Sequence, residues 1–139
     1  MNVSDETLAD LMSNARVIAS VGVVSNPLTT GYRVAEYQQS QGYKVIGVNH
    51  DKDMILGHPT VHSVTDIGEP VDIVNVLAHP SEIAQVADAA IQSGAKALWL
   101  EPGIENKEAE ERAMQAGLTV VSNRSFEREH RRLLADKDF

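Results

Sequence analysis

The sequence predicts a doubly wound α/β fold, one parallel sheet held between two layers of helices. Three observations lead there. Its apolar residues gather in short, nearly unbroken runs, the pattern of strands buried on both faces. Amphipathic helical stretches alternate with those runs from Arg16 onward. Three helix-to-strand junctions, Gln41-Gly42-Tyr43, Ser93-Gly94-Ala95 and Ala116-Gly117-Leu118, share one device. In each, a glycine closes the helix in the left-handed conformation and an apolar strand follows at once.

Taken in order, residues 5–12 predict a helix laid against the sheet edge. Strands are expected over 17–21, 44–48, 73–77, 97–100 and 119–121, with helices over 32–41, 81–93, 107–116 and 126–134. Within 81–93, Ile83, Val86, Ala87, Ala90 and Ile91 form one stripe, and Glu82, Gln85, Asp88 and Gln92 lie opposite it. Pro80 suits a first helical turn, where its missing N–H costs nothing. Segment 51–70 breaks the rhythm with Gly57, Pro59, Gly68 and Pro70. It predicts a short extended piece over 60–62 and one helical turn near Thr65. Right-handed crossovers then give a five-stranded sheet of expected order 3-2-1-4-5, counting strands along the chain. Ligands bind above the carboxyl ends of the strands, where that order reverses.

The 139 residues make one domain, 1–139, with its core over about 15–134. A chain of this length buries roughly 65–70% of its unfolded surface. Twenty acidic residues against 12 Lys and Arg give a formal net charge of −8, which argues against nucleic acid and anionic membrane as partners. With no cysteine, disulfides and thiolate chemistry are excluded. No apolar run reaches the ~20 residues of a membrane span. The polar, acidic start, Met1-Asn2-Val3-Ser4-Asp5-Glu6, is unlike a signal peptide, so a cytoplasmic location is expected.

The stretch from Val21 to Arg33 is the most informative. The first strand breaks at Gly22, passes through Val23, Val24, Ser25, Asn26 and Pro27, and enters a helix with Tyr32 in its first turn. Such a loop presents free helix N–H groups to an anion such as a phosphate. It lacks the dinucleotide fingerprint, because Val24 and Pro27 stand where G-x-G-x-x-G places glycines after Gly22. Arg33, His50, Lys52, His79, Lys107 and Arg124 all follow strands and are expected at the ligand end, whereas Arg16, Lys44 and Lys96 precede them. At the end of the second strand, Asn49-His50 replaces the acid that grips a ribose in NAD-binding domains. A carboxylate there would repel a ribose 3′-phosphate; an amide and an imidazole tolerate one. A simple turn explains the pair equally well.

Three runs carry a resemblance: Ile18 to Pro27, Gly31-Tyr32-Arg33-Val34, and Gly42 to Asn49. It continues through Pro70-Val71-Asp72-Ile73-Val74, Gly94 to Leu100 and Glu105 to Ala109. The chain resembles the small stand-alone CoA-binding proteins, whose domain is similar to the CoA-binding domain of succinyl-CoA synthetase alpha subunits. The resemblance implies CoA or acyl-CoA as cofactor, with backbone contacts from Gly22, Val23 and Val24 and with Ser25, Tyr32 and Arg33 near the phosphates. Asn49 and His50 would flank ribose and adenine, and Ala78 and His79 would cover them from the other side. Arg124 matches an arginine retained after the fifth strand. The sequence departs from the family pattern at Ala78, commonly Arg or Val, and at Glu101-Pro102-Gly103, where Gln is usual. Asn123-Arg124-Ser125 stands for Asp-Arg-Cys. An ionised carboxylate at Glu101, near the pyrophosphate or pantetheine path, would weaken binding.

Catalytic machinery is sparse in the sequence. Ser25 and Ser125 lack a G-x-S-x-G setting, and Pro59 keeps His58 and His62 off one helical face. His130 reads as part of a solvated helix face and Trp99 as core. Three functions remain open: a non-catalytic binder of CoA or acyl-CoA; a regulatory or interaction protein with a degenerate nucleotide pocket; and a nucleotide-dependent oxidoreductase or ligase-subunit-like enzyme. The first is expected. No metal site is expected, and no protein partner is indicated.

Overall fold

The computed structural model describes residues 3–134. Five parallel strands form the sheet: β1 (Val17–Val21), β2 (Lys44–Val48), β5 (Ile73–Val76), β6 (Ala97–Leu100) and β7 (Thr119–Ser122). A hairpin of two-residue strands, β3 (Met54–Ile55) and β4 (His58–Pro59), lies between β2 and β5. The helices are α1 (Asp5–Asn14), α2 (Thr30–Ser40), α3 (Ile83–Ser93), α4 (Lys107–Gln115) and α5 (Phe126–Leu133). Single 3-10 turns span Val64–Asp66 and Pro80–Glu82. The α/β class, the parallel sheet and the helices on both faces are as the sequence predicts.

The strand order differs from expectation. It is β2-β1-β5-β6-β7, or 2-1-3-4-5 when the five long strands are counted along the chain, not 3-2-1-4-5. Hydrogen bonding along the outer edge of β2 explains the difference. Val61 bridges in parallel to Val48, donating to the Gly47 carbonyl (3.0 Å) and accepting from the Asn49 amide (2.9 Å). The outer place beside β2 is thus taken by the short extended piece at 60–62. β5, buried at every residue, pairs with β1 on one side and β6 on the other. The order still reverses beside β1, now between β1 and β5.

Local chemistry sets the helix ends. Ser4, Thr29, Asn106 and Ser125 cap α1, α2, α4 and α5 with side-chain oxygens. Thr29 starts α2 two residues earlier than periodicity indicates. Pro80 opens a 3-10 turn that precedes α3. The junction glycines Gly42, Gly94 and Gly117 all have left-handed φ, from +74° to +97°.

Two apolar layers sandwich the sheet. On one face Ile83, Ala87 and Ala90 of α3 and Ala109 and Ala113 of α4 pack on Ala19, Val74 and Leu98. On the other, Leu8 and Met12 of α1, Val34 and Ala35 of α2 and Phe126 and Leu133 of α5 pack on Ile18, Ile73 and Trp99. Alanines let α3 and α4 approach closely, while the opposite layer takes the aromatics. No helix among the described residues is long and apolar enough to cross a membrane.

Candidate functional site

The β1–α2 loop is rigid at its base and open at its crest. Gly22 (φ +92°) donates its amide to the Val48 carbonyl at 3.2 Å. A Cβ on Gly22 would lie 2.1 Å from the Leu77 carbonyl oxygen. The glycine is therefore required where β1 and β5 leave the sheet side by side. Val23 turns into the core with no exposed surface, and Val24 and Ser25 stand in solvent. Asn26 forms an Asx turn, its Oδ1 accepting from the Leu28 amide at 3.0 Å. Thr29 Oγ1 accepts from the Tyr32 amide.

That pattern leaves the amides of Val23, Val24, Ser25, Thr30 and Gly31 with no protein acceptor among the described residues. Two flank the first turn of α2, where the helix dipole adds to the attraction for an anion. A diphosphate needs this kind of donor set.

Two clefts lie on either side of the loop. One, of about 340 Å³, has apolar walls from Val21, Val48, Val64, Val86 and Ala89, with Asn49, His50, Ser63, Glu82 and Gln85 among its polar lining. Flat apolar walls with a polar rim suit a purine nucleoside. The other, of about 440 Å³, lies between α2 and α5 and collects Arg33, Arg128 and Arg131 with Leu77, Pro102 and Ser125.

The residues singled out in the sequence do not converge on one point. Gly22, Val24, Asn49 and His50 line the first cleft; Arg33 lines the second. Asn49 is partly committed to structure: its Nδ2 donates to the Val23 carbonyl at 2.9 Å and its Oδ1 accepts from the Asp51 amide at 3.0 Å. It ties the loop to β2 and keeps one hydrogen and one lone pair for a ligand. Tyr32 is half-buried against the α1–α2–α5 layer. Ala78 is buried beside Gly22, and His79 caps the 3-10 turn by accepting from the Ser81 amide at 3.2 Å. Ser25 and Arg124 line neither cleft; the Arg124 carbonyl accepts from Trp99 Nε1 at 2.8 Å.

One expectation is corrected, at His130, and Glu101, Glu82 and Gln85 take settings that the sequence does not show. Glu101 lies in the second cleft's floor but is 2% exposed, and its Oε2 accepts from Asn75 Nδ2 and from the Phe126 amide, both at 3.0 Å. Burial raises its pKa, outweighing those hydrogen bonds. It fastens α5 to the sheet and turns almost none of its surface to the cleft. His130 is buried, its Nδ1 2.7 Å from the Tyr37 hydroxyl. Glu82 and Gln85, which periodicity sets opposite the apolar stripe, are half-exposed and exposed, and both line the first cleft. Their position could have been found from one rule: the first turn of a helix that follows a strand lies at the ligand end of the sheet.

A family described as the CoA binding domain matches residues 16–131, nearly the whole described chain. The chain belongs to the CoA binding domain family. Among relatives, the uncharacterised protein YneT of Bacillus subtilis (strain 168) is 32% identical over 120 residues, covering 86% of this chain and 89% of YneT. A hypothetical protein from Pyrococcus horikoshii OT3 is 33% identical and superimposes with a TM-score of 0.93 over 96% of this chain and 94% of its own. An acetyl-coenzyme A synthetase from Ca. Korarchaeum cryptofilum, solved with phosphate and ADP, gives 22% identity and a TM-score of 0.67. That match covers 81% of this chain and 27% of the synthetase, and it speaks to fold alone.

Membership in the CoA binding domain family agrees with the donor set and the clefts. The 340 Å³ cleft is lined in part by Gly22 and Val24 of the loop that carries the free amides. Among the described residues, no cluster of three or more His, Asp or Glu is arranged to hold a metal ion.

Proposed function

We propose that this protein binds CoA or acyl-CoA without transforming it, in the cytoplasm, as a carrier or sensor of the cofactor. One observation supports the reading most: the β1–α2 turn, with its run of amides that have no protein acceptor among the described residues, lies between an apolar-walled cleft lined by Gly22 and Val24 and a second cleft lined by Thr30. In this reading the adenine lies between Val48, Val64 and Ala89, and the amides of Val24, Ser25, Thr30 and Gly31 receive the diphosphate. Arg33 stands at the mouth of the second cleft, which receives the pantetheine arm and has room for an acyl group.

The non-catalytic part of the proposal is supported by how the polar side chains are used. Ser125 Oγ caps α5 by accepting from the Arg128 amide, and Glu101 is held inside by Asn75 and Phe126. Neither is paired with a base that would activate it.

Titration calorimetry with CoA, dephospho-CoA, ADP and NAD tests the binding reading. The expected result is binding of the pantetheine-bearing compounds more tightly than ADP, because the arm adds contacts in the second cleft. Heat from NAD alone, or from none of the four, would overturn it.

A further inference from the structure

The notable feature of the first cleft is its charge. Glu82 is the single formally charged residue lining it, and no Lys or Arg lines it among the described residues. Glu82 enters from the turn before α3 and places Oε1 3.3 Å from Nε2 of His50, at the end of β2. The two side chains meet across the rim that Asn49 shares. Thus the carboxylate that the second strand lacks is supplied by another element, within reach of His50 at the end of that strand.

A ligand whose diphosphate sits on the loop amides and whose purine lies between the apolar walls must present its ribose to this rim. A ribose hydroxyl can donate to Glu82 and accept from His50 or Asn49. A 3′-phosphate brings up to two negative charges to a carboxylate with no lysine or arginine to offset them. We infer that Glu82, held by His50, makes the cleft select adenosine diphosphate groups with a free ribose 3′-hydroxyl over those carrying a 3′-phosphate. The inference rests on the proposed binding of a CoA-type cofactor and specifies which form of that cofactor fits best: the dephospho form.

A dianion set beside a carboxylate in a water-like dielectric loses about tenfold in affinity. Calorimetry on the wild-type protein and on Glu82→Gln, with CoA and dephospho-CoA, tests the inference. The wild type is expected to bind dephospho-CoA about tenfold more tightly than CoA. Glu82→Gln keeps the size and the hydrogen bonding but removes the charge, and should bring the two ligands to within about twofold by strengthening CoA. Thermal melting of the variant controls for folding, since the side chain is at the surface. Equal or tighter binding of CoA by the wild type overturns the selection while leaving CoA-type binding intact. So does a Glu82→Gln effect that is the same for both ligands. Binding of neither ligand overturns the underlying reading together with this one.

Discussion

Asn75 Nδ2 donates to Glu101 Oε2 at 3.0 Å, joining the middle of β5 to the end of β6 inside the protein. The Phe126 amide shares the same oxygen, and Gln38 Nε2 donates to Asn75 Oδ1 at 3.2 Å, so one buried chain of polar groups runs from α2 through the sheet to the start of α5. The energetic consequence follows from burial. Desolvation raises the Glu101 pKa, so the native state holds a proton that the unfolded chain releases. Stability from this group is complete at pH below its unfolded value and is lost as pH rises through the folded one.

Glu101→Gln is therefore expected to be close to neutral at pH 4 and increasingly stabilising as pH rises to 8, since the amide oxygen still accepts from Asn75 and Phe126 and carries no proton to lose. Glu101→Ala strands both donors and is expected to cost about 2–4 kcal/mol. Urea unfolding of the three proteins across that pH range decides it; a Glu101→Gln difference that does not grow with pH would contradict the assignment.

Two glycines with nearly the same backbone angle should respond very differently to alanine. Gly22 and Gly117 have φ of +92° and +96°. A Cβ at Gly22 collides with the Leu77 carbonyl, while one at Gly117 meets nothing within 4 Å. Gly117→Ala should cost about 1–2 kcal/mol, the penalty of the left-handed conformation alone. Gly22→Ala adds a backbone clash and should cost more than about 3 kcal/mol, or prevent folding. Equal midpoints for the two variants in urea would show that β1 and β5 are not so close.

Ala89 offers a way to fill the first cleft without touching a polar contact. It lies on α3, half-buried, with its side chain on the cleft wall. Ala89→Phe should occupy the space assigned to the purine and weaken CoA or dephospho-CoA by at least about tenfold. The melting temperature should stay within about 4 °C, because the cleft is open and the ring need not enter the packed layer. Unchanged affinity in the folded variant would move the adenosine out of this cleft.

How far the sequence could be read depends on which forces act locally. Unbroken runs such as Ile73–Val76 and glycines such as Gly94 encode strand burial and helix ends within a few residues, and these were legible. Strand order was not, because it turned on a single pairing, Val61 with Val48, inside a segment whose Gly and Pro content conceals its extended centre. The loop proposed to bind an anion is marked in the sequence by its small residues. The roles of Asn49 and Glu101 were not, since each is defined by partners 26 or 25 positions away. The lining role of Glu82 was not legible either, because helical periodicity separates core from non-core faces and cannot tell open solvent from a cleft.

His130 should impose the opposite pH dependence from Glu101. Its ring stacks on Phe126 at 5.9 Å between centroids and meets Tyr37 and Tyr43 edge-on, with Nδ1 bonded to the Tyr37 hydroxyl. Burial lowers its pKa, and the neighbouring Arg131 lowers it further, so the native ring is neutral where the unfolded one takes a proton. The stability this provides is complete above the unfolded value of about 6.5 and is lost as pH falls through the folded one. His130→Phe keeps the stacking and forfeits the bond to Tyr37, so it should cost about 1 kcal/mol at pH 8. That deficit should shrink towards pH 5, because the variant has no imidazole to protonate there. Urea midpoints for wild type and variant at pH 5, 6.5 and 8 measure the convergence. Parallel curves would mean that the ring titrates alike in both states and that its burial has no electrostatic consequence.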